Sequence, residues 1–87
     1  MNKAVRIKKL SGFTGAASLY RVTPPLDGND YVVVSATVVP FSGPETYIFA
    51  ADKTGKVTSY SELGGSFRGG LDHEAALAKA GYQVREA

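Results

Sequence analysis

Alternation of apolar and polar residues predicts the first strand of this chain. Residues Ala4–Leu10 alternate, with Val5 and Ile7 on one side and Arg6 and Lys8 on the other. A period of two residues is typical of a half-buried β-strand, because successive side chains point to opposite faces. The outer face of this strand is therefore expected to be basic.

The same alternation predicts two more strands. Ala17–Thr23 is expected to form a strand with Leu19 and Tyr20 on opposite faces, and Pro24–Pro25 is expected to end it. Neither proline can donate a hydrogen bond to a sheet ladder. Tyr31–Val39 is the strongest strand prediction, because its β-branched residues are typical of a covered central strand.

A hairpin follows the central strand. Glu45–Ala51 and Lys56–Tyr60 are predicted to be its two strands, the second short and at an edge. Asp52–Gly55 is the predicted turn, in which Gly55 can adopt positive φ without steric strain.

A single convincing helix is predicted near the C-terminus. Asp72 is a favourable N-cap, Glu74 complements the helix dipole, residues 75–80 are rich in alanine, and Gly81 is suited to C′. Residues 1–87 are therefore expected to form a single small α+β domain. Its mostly antiparallel sheet would have four to five strands, with one C-terminal helix packed on one face.

Composition excludes several classes of protein. The chain has no cysteine, which excludes disulfide scaffolds, thiolate zinc sites and cysteine nucleophiles. No apolar run approaches the roughly 20 residues of a membrane span, and the basic start is not followed by the apolar segment of a signal peptide. A cytoplasmic location without membrane contact is the expectation.

Charge is unevenly distributed although its net value is only +2. Residues 1–26 hold five basic and no acidic residues, whereas residues 27–52 hold four acidic and no basic ones. A nucleic-acid interface would use Lys3, Arg6, Lys8 and Lys9. Electrostatic complementarity between neighbouring strands is the favoured alternative, because nucleic-acid binders usually carry a larger basic excess.

A glycine-rich segment leads into the predicted helix. Backbone N–H groups at a helix N-terminus can bind a phosphate or a carboxylate. The candidate residues for such an anion site are Gly65, Ser66, Arg68, Gly69, Gly70 and His73. However, Asp72 as N-cap would occupy the same N–H groups, and neither a P-loop nor a dinucleotide-binding glycine motif is present. Flexible linkage between sheet and helix is the favoured alternative.

Enzymatic chemistry is not expected. Ser66, Asp72 and His73 supply the residue types of a hydrolytic triad, but adjacent helical residues do not face each other. The same geometry argues against a metal site at residues 72–74. No cofactor is expected, and His73 is expected to face solvent in the first helical turn.

Aromatic residues are numerous for so small a core. Because one helix covers only one face of a sheet, the other face should present aromatic side chains to solvent or to a partner, a foreign protein or a second copy. The candidate interface residues are Tyr20, Tyr31, Tyr47, Phe49 and Tyr60. The alternative is that these rings close the core, with tyrosine hydroxyls reaching water.

Most of the chain also shows a resemblance to known sequences. The segments that carry it are Leu19–Leu26, Val32–Ala36, Pro40–Phe49, Ala51–Asp52, Glu62–Ser66 and Asp72–His73. They resemble small uncharacterised proteins encoded by bacteriophages, often those of actinobacteria. The resemblance implies no activity, but it implies a phage or prophage product in the host cytoplasm. Proteins of this kind often act by binding a host protein, and modulation or inhibition of such a protein is a hypothesis that follows from the resemblance. The leading hypothesis is thus a non-enzymatic protein binder, and the alternative is a small module for an anion, another small ligand or nucleic acid.

Overall fold

The computed structural model describes residues 2–12 and 15–86. The described chain contains seven strands and one helix, α1, at His73–Lys79. The strands are β1 Lys3–Leu10, β2 Ala16–Leu26, β3 Asn29–Val39, β4 Gly43–Ala51, β5 Val57–Ser59, β6 Phe67–Arg68 and β7 Gln83–Glu86. The expected α+β class and mostly antiparallel sheet are confirmed.

The strands form one sheet in the order β5-β4-β3-β2-β1-β7. Strand β6 also pairs with the outer edge of β4, at Glu45 and Thr46, whereas β5 pairs at Ala50 and Ala51. Neighbours are antiparallel except β1 and β7, which are parallel. The sheet has more strands than the expected four to five because β6 and β7 are too short to show a periodic pattern. The helix is also not the last element, since β7 follows it and pairs with β1.

Strand β2 runs through the two prolines that were expected to end it. Its ladder with β3 is regular to Arg21, shifts register, and resumes at Leu26. Pro24 and Pro25 lie within that interruption, where the ladder does not require their missing N–H groups. The prediction that they end the strand is therefore wrong.

The predicted helix ends are confirmed. Asp72 is the N-cap, and its side chain accepts a hydrogen bond from the Ala75 N–H at 3.0 Å. Gly81 follows the C-cap Ala80 and has a φ of 95°, as the C′ prediction requires. The helix has seven residues, so it is about 10 Å long and covers only part of a sheet face.

The sheet has two buried faces with different coverings. The helix face carries α1 and contains the main core, with Leu77 packed on the sheet. Its buried sheet residues are Ala4, Tyr20, Val22, Val32, Val34 and Ile48. The far face contains a smaller core of Ala17, Leu19, Val33 and Ala51. As predicted, Leu19 and Tyr20 lie on opposite faces.

The far face is partly closed by curling of the sheet. A Cβ atom at Gly55, in the turn between β4 and β5, would lie 2.8 Å from Leu10 Cδ2 on β1. In the sheet order, strands β2, β3 and β4 lie between β1 and β5. The predicted turn is confirmed, since Gly55 has a φ of 95° and its N–H donates to the Asp52 carbonyl at 3.1 Å.

A bulge in β1 changes which basic residues share a face. The register between β1 and β2 shifts between Arg6 and Lys8, so that Arg6 lies opposite Tyr20 and Lys8 lies opposite Leu19. Arg6 is therefore on the helix face and Lys8 on the far face. The predicted placement of both on one side is wrong, because Ile7 takes the extra position of the bulge.

Candidate functional site

The glycine-rich segment lies along the outer edge of β4. The Ser66 hydroxyl accepts from the Ile48 N–H at 2.8 Å and donates to the Leu63 carbonyl at 2.9 Å. The Leu63 N–H donates to the Ile48 carbonyl at 2.9 Å, and the Gly69 N–H donates to the Pro44 carbonyl at 2.7 Å. The segment therefore satisfies an edge that would otherwise be open to further strand pairing.

The start of the helix is tied to the same strand. Thr46 is fully buried, and its hydroxyl donates to the Gly70 carbonyl at 2.8 Å and accepts from the Asp72 N–H at 3.1 Å. The N–H groups of Gly69, Asp72 and Ala75 thus donate hydrogen bonds to acceptors within the protein. The anion site predicted at this segment would have to use other N–H groups, and it stays a prediction.

A chain of polar contacts joins β1, β2 and the helix. The Arg6 guanidinium donates to the Tyr20 hydroxyl from Nη2 at 3.1 Å and from Nε at 3.3 Å. The Tyr20 hydroxyl lies 3.2 Å from His73 Nδ1, and His73 Nε2 lies 3.0 Å from the Ala16 carbonyl. A neutral imidazole fits both contacts when Nε2 carries the proton and Nδ1 accepts. We refer to Arg6, Tyr20 and His73 as the polar relay.

The surroundings of the polar relay favour a neutral histidine. Burial lowers the pKa of His73 below its usual value, and the positive charge of Arg6 acts in the same direction. The hydrogen bond to Ala16 and the charge of Asp72 act in the opposite direction and are outweighed. The expectation that His73 faces solvent is wrong, because the imidazole is half-buried against β2.

An open groove lies beside the polar relay where the short helix leaves the helix face uncovered. Its volume is about 800 Å³. Buried Ser18 and Ala36 line it from the sheet, while Val38 and Leu71 are 64% and 52% exposed at its margins. We call this cavity the helix-face groove.

The far face carries a row of three aromatic rings, which we call the aromatic patch. Tyr47 and Phe49 are stacked with centroids 5.8 Å apart, and Phe49 meets Tyr60 edge to face at 5.2 Å. Tyr47 and Phe49 are half-buried, whereas Tyr60 is 70% exposed. The row therefore begins on the sheet and ends in solvent.

An ion pair borders the aromatic patch. The Glu45 side chain is only 4% exposed and accepts a hydrogen bond from Arg68 Nε at 3.1 Å and another from the Tyr47 hydroxyl. Glu62 lies 3.9 Å from the same guanidinium. Two carboxylates thus balance one exposed cation at this end of the face.

The other two interface candidates lie on opposite faces of the sheet. Tyr31 is half-buried on the far face, packed against the small core around Val33 and Ala51. Tyr20 is fully buried on the helix face and cannot join a surface formed by the others. The alternation of β2 predicts that Tyr20 lies on the face opposite to Leu19. The hydrogen bond between Tyr20 and His73, 53 residues away, has no signal in the sequence.

The four basic residues of the proposed nucleic-acid strand are also divided. Arg6 and Lys9 lie opposite Tyr20 and Ser18 on the helix face. Lys8 lies opposite Leu19 on the far face, where alternation with Ala4 also places Lys3. They do not form one continuous basic surface.

Glu45 is the residue that sequence reasoning missed. Its strand was predicted, but a glutamate near a strand end normally reads as exposed. Burial arises because β6 adds Arg68 directly opposite it, and β6 itself had no signal in the sequence. The residue becomes recognisable only once the glycine-rich segment is folded back on β4.

Comparisons with known proteins add no family to this description: no family model, curated protein or solved structure matches the chain. Within residues 2–12 and 15–86, no helix is long and apolar enough to cross a membrane. The same residues hold no cluster of three or more histidine and carboxylate side chains placed to bind a metal ion.

Proposed function

We propose that this protein acts without catalysis, by binding another protein through the aromatic patch. The observation that carries the proposal is the continuous row of Tyr47, Phe49 and Tyr60, whose outermost ring is 70% exposed. Aromatic rings that lie against one another and reach solvent offer rigid apolar area to a partner. The helix lies on the opposite face and leaves this surface uncovered.

The residue types at the patch fit the energetics of protein interfaces. Tyrosine and arginine are enriched among the residues that dominate binding energy, and Arg68 borders the rings. Glu45 orients both Arg68 and the Tyr47 hydroxyl, so these groups are held in place before a partner arrives. Such preorganisation reduces the entropy lost on binding.

The charges around the patch favour a protein over a nucleic acid. Arg68 is balanced by Glu45 and Glu62, so it offers little net positive charge to a phosphate backbone. The basic residues of β1 are divided between two faces. Nucleic-acid binding normally requires several cations on one surface.

The cellular setting is part of the same proposal. The resemblance to small phage proteins supports a phage or prophage product that acts in the host cytoplasm on a host protein, inhibition being one form of that action. The anion or small-ligand alternative at the glycine-rich segment has less support, because several of its N–H groups are donated within the fold.

A pull-down from host-cell lysate tests the proposal, with three tagged proteins compared at low and moderate salt by mass spectrometry. They are the wild type, Tyr60→Ala and the control Phe41→Ala. Phe41, like Tyr60, is an exposed aromatic residue, but it lies in the turn between β3 and β4, outside the patch. We expect one protein to be enriched at both salts by the wild type and by Phe41→Ala, and to be lost from Tyr60→Ala.

Two other outcomes would count against the proposal. Equal recovery by all three proteins would show that the patch is not the binding surface. Recovery of nucleic acid alone, lost as salt rises, would instead indicate electrostatic binding through the basic residues. Light scattering after size-exclusion chromatography distinguishes a foreign partner from a second copy of the chain.

A further inference from the structure

The helix-face groove is a feature that the proposed function leaves without a role. Its volume of about 800 Å³ is within the range of about 300–1,000 Å³ typical of ligand sites. Small side chains at Ser18 and Ala36 leave space above the sheet, and Val38 and Leu71 supply apolar area at the margins. This combination accommodates the apolar part of a small molecule.

The two sides of the groove carry opposite charges. Lys9 and Arg6 line it from β1, and Asp72 and Glu74 line it from the helix. Arg6 is engaged with Tyr20, and Asp72 caps the helix through Ala75. Lys9 and Glu74 are both exposed, and no salt bridge joins them. They are therefore the two charges of the groove that no hydrogen bond or salt bridge within the described chain engages.

We propose that the helix-face groove binds a small zwitterion with an apolar body, of the class of α-amino acids with apolar side chains. Lys9 receives the carboxylate, Glu74 receives the ammonium group, and Val38 and Leu71 contact the apolar side chain. Charge complementarity carries this assignment, because a ligand with both charges satisfies both sides of the groove. The site uses no N–H group of the helix terminus.

This site is separate from the aromatic patch, so the two proposals can fail independently. The groove lies on the helix face and the patch lies on the far face. The polar relay borders the groove and fixes the position of His73 through Ala16. A ligand would thus enter a site whose wall is already ordered.

Three probes with the same apolar body test the charge requirement. L-phenylalanine carries both charges, 3-phenylpropionate only the carboxylate, and phenethylamine only the ammonium group. Titrations followed by amide NMR shifts are expected to show binding of L-phenylalanine at millimolar concentration or below, with shifts at residues around Ser18, Val38 and Glu74. Each singly charged analogue is expected to bind at least about tenfold more weakly, because one charge-assisted contact is lost.

Matched variants identify the two charged contacts. Lys9→Ala is expected to weaken binding of L-phenylalanine at least about tenfold, whereas Lys8→Ala is expected to leave it unchanged. Lys8 is the matched control because the bulge places it on the far face. Glu74→Gln should act like Lys9→Ala, with Glu62→Gln near Arg68 as its control.

Several results would overturn the proposal. One is the absence of any shift with L-phenylalanine up to 10 mM, roughly the weakest affinity such a probe can report. Another is equal binding of all three probes, which would show that the charges play no part. Equal effects of Lys8→Ala and Lys9→Ala on L-phenylalanine binding would place the binding site outside the groove. None of these results would change the pull-down result with Tyr60→Ala, which tests the aromatic patch alone.

Discussion

The two faces of the sheet are closed by different means. On the helix face, α1 supplies Leu77 to the core, and the polar relay fixes the start of the helix to β1 and β2. On the far face no helix of the described chain covers the sheet, and curling brings the turn at Gly55 against Leu10. The helix face contains the larger core, whereas the far face ends in half-buried aromatic rings.

Under the proposed function, this difference would separate stability from recognition. Fully buried side chains that contact many neighbours contribute most of the stabilisation, and most of these lie on the helix face. Rings at a half-covered margin contribute less to folding, and the proposed function assigns them to a partner. Substitutions on the two faces should therefore differ in size and in kind.

The largest expected loss of stability is for a substitution at Gly65, in the glycine-rich segment that packs against the helix. A Cβ at Gly65 would lie 2.5 Å from the Ala76 carbonyl oxygen, whereas a Cβ at Gly69 would meet nothing within 4 Å. Both glycines have a φ of 103°. Gly65→Ala should lower the free energy of unfolding by about 3 kcal/mol and Gly69→Ala by about 1 kcal/mol, as urea unfolding would show. Equal losses would mean that contact with the helix does not matter.

Substitution of a core leucine on either face should destabilise the protein, but the two substitutions should expose different backbone amides. Leu77→Ala and Leu19→Ala each remove a fully buried side chain, and each should cost about 3 kcal/mol. Leu77→Ala should also release the helix, so hydrogen exchange of α1 amides should rise more than that of β2 and β3 amides. A uniform rise over the whole sheet would contradict independent closure of the two faces.

The polar relay should contribute less than a core leucine. Tyr20→Phe removes the hydroxyl that joins Arg6 to His73, and should lower the free energy of unfolding by about 1–2 kcal/mol. Tyr31→Phe is the far-face control, and should change the free energy by less than about 0.5 kcal/mol. Similar values for the two variants would show that the relay adds nothing beyond packing of the ring.

Acidification should weaken the helix face. Burial lowers the pKa of His73, so the unfolded chain binds a proton more readily than the folded one. The free energy of unfolding should therefore fall as pH decreases from about 6.5 towards the lowered pKa, and the contribution is fully present above that window. Urea unfolding between pH 7.5 and 5.5 measures this slope, and subtraction of the His73→Gln profile isolates it from carboxylate titration. Identical slopes for both proteins would exclude this origin.

The smallest expected effect is at the exposed end of the aromatic patch. Tyr60→Ala removes one edge-to-face contact with Phe49, and should cost at most about 1 kcal/mol in thermal or urea unfolding. The same variant is expected to abolish partner capture. A loss of stability as large as that of Leu77→Ala would place Tyr60 in the core instead of at an interface.

Local patterns determined much of this protein. The alternation in Tyr31–Val39 predicted β3, the Asp72 cap and Gly81 predicted the ends of the helix, and Gly55 predicted a turn. These predictions succeeded because each depends on residues within a few positions of one another. The same reasoning placed Leu19 and Tyr20 on opposite faces.

Tertiary structure decided the features that join distant parts of the chain. The bulge at Ile7 divided the basic residues between faces, and the glycine-rich segment came to lie along the edge of β4. Tyr20 met a histidine 53 positions away, and Glu45 became buried under Arg68. Such contacts depend on register and packing across the sheet, which no local period encodes. The sequence by itself therefore determined the helix and the five longer-patterned strands β1 to β5, whereas the tertiary structure decided the pairing of β6 and β7 and which side chains lie together.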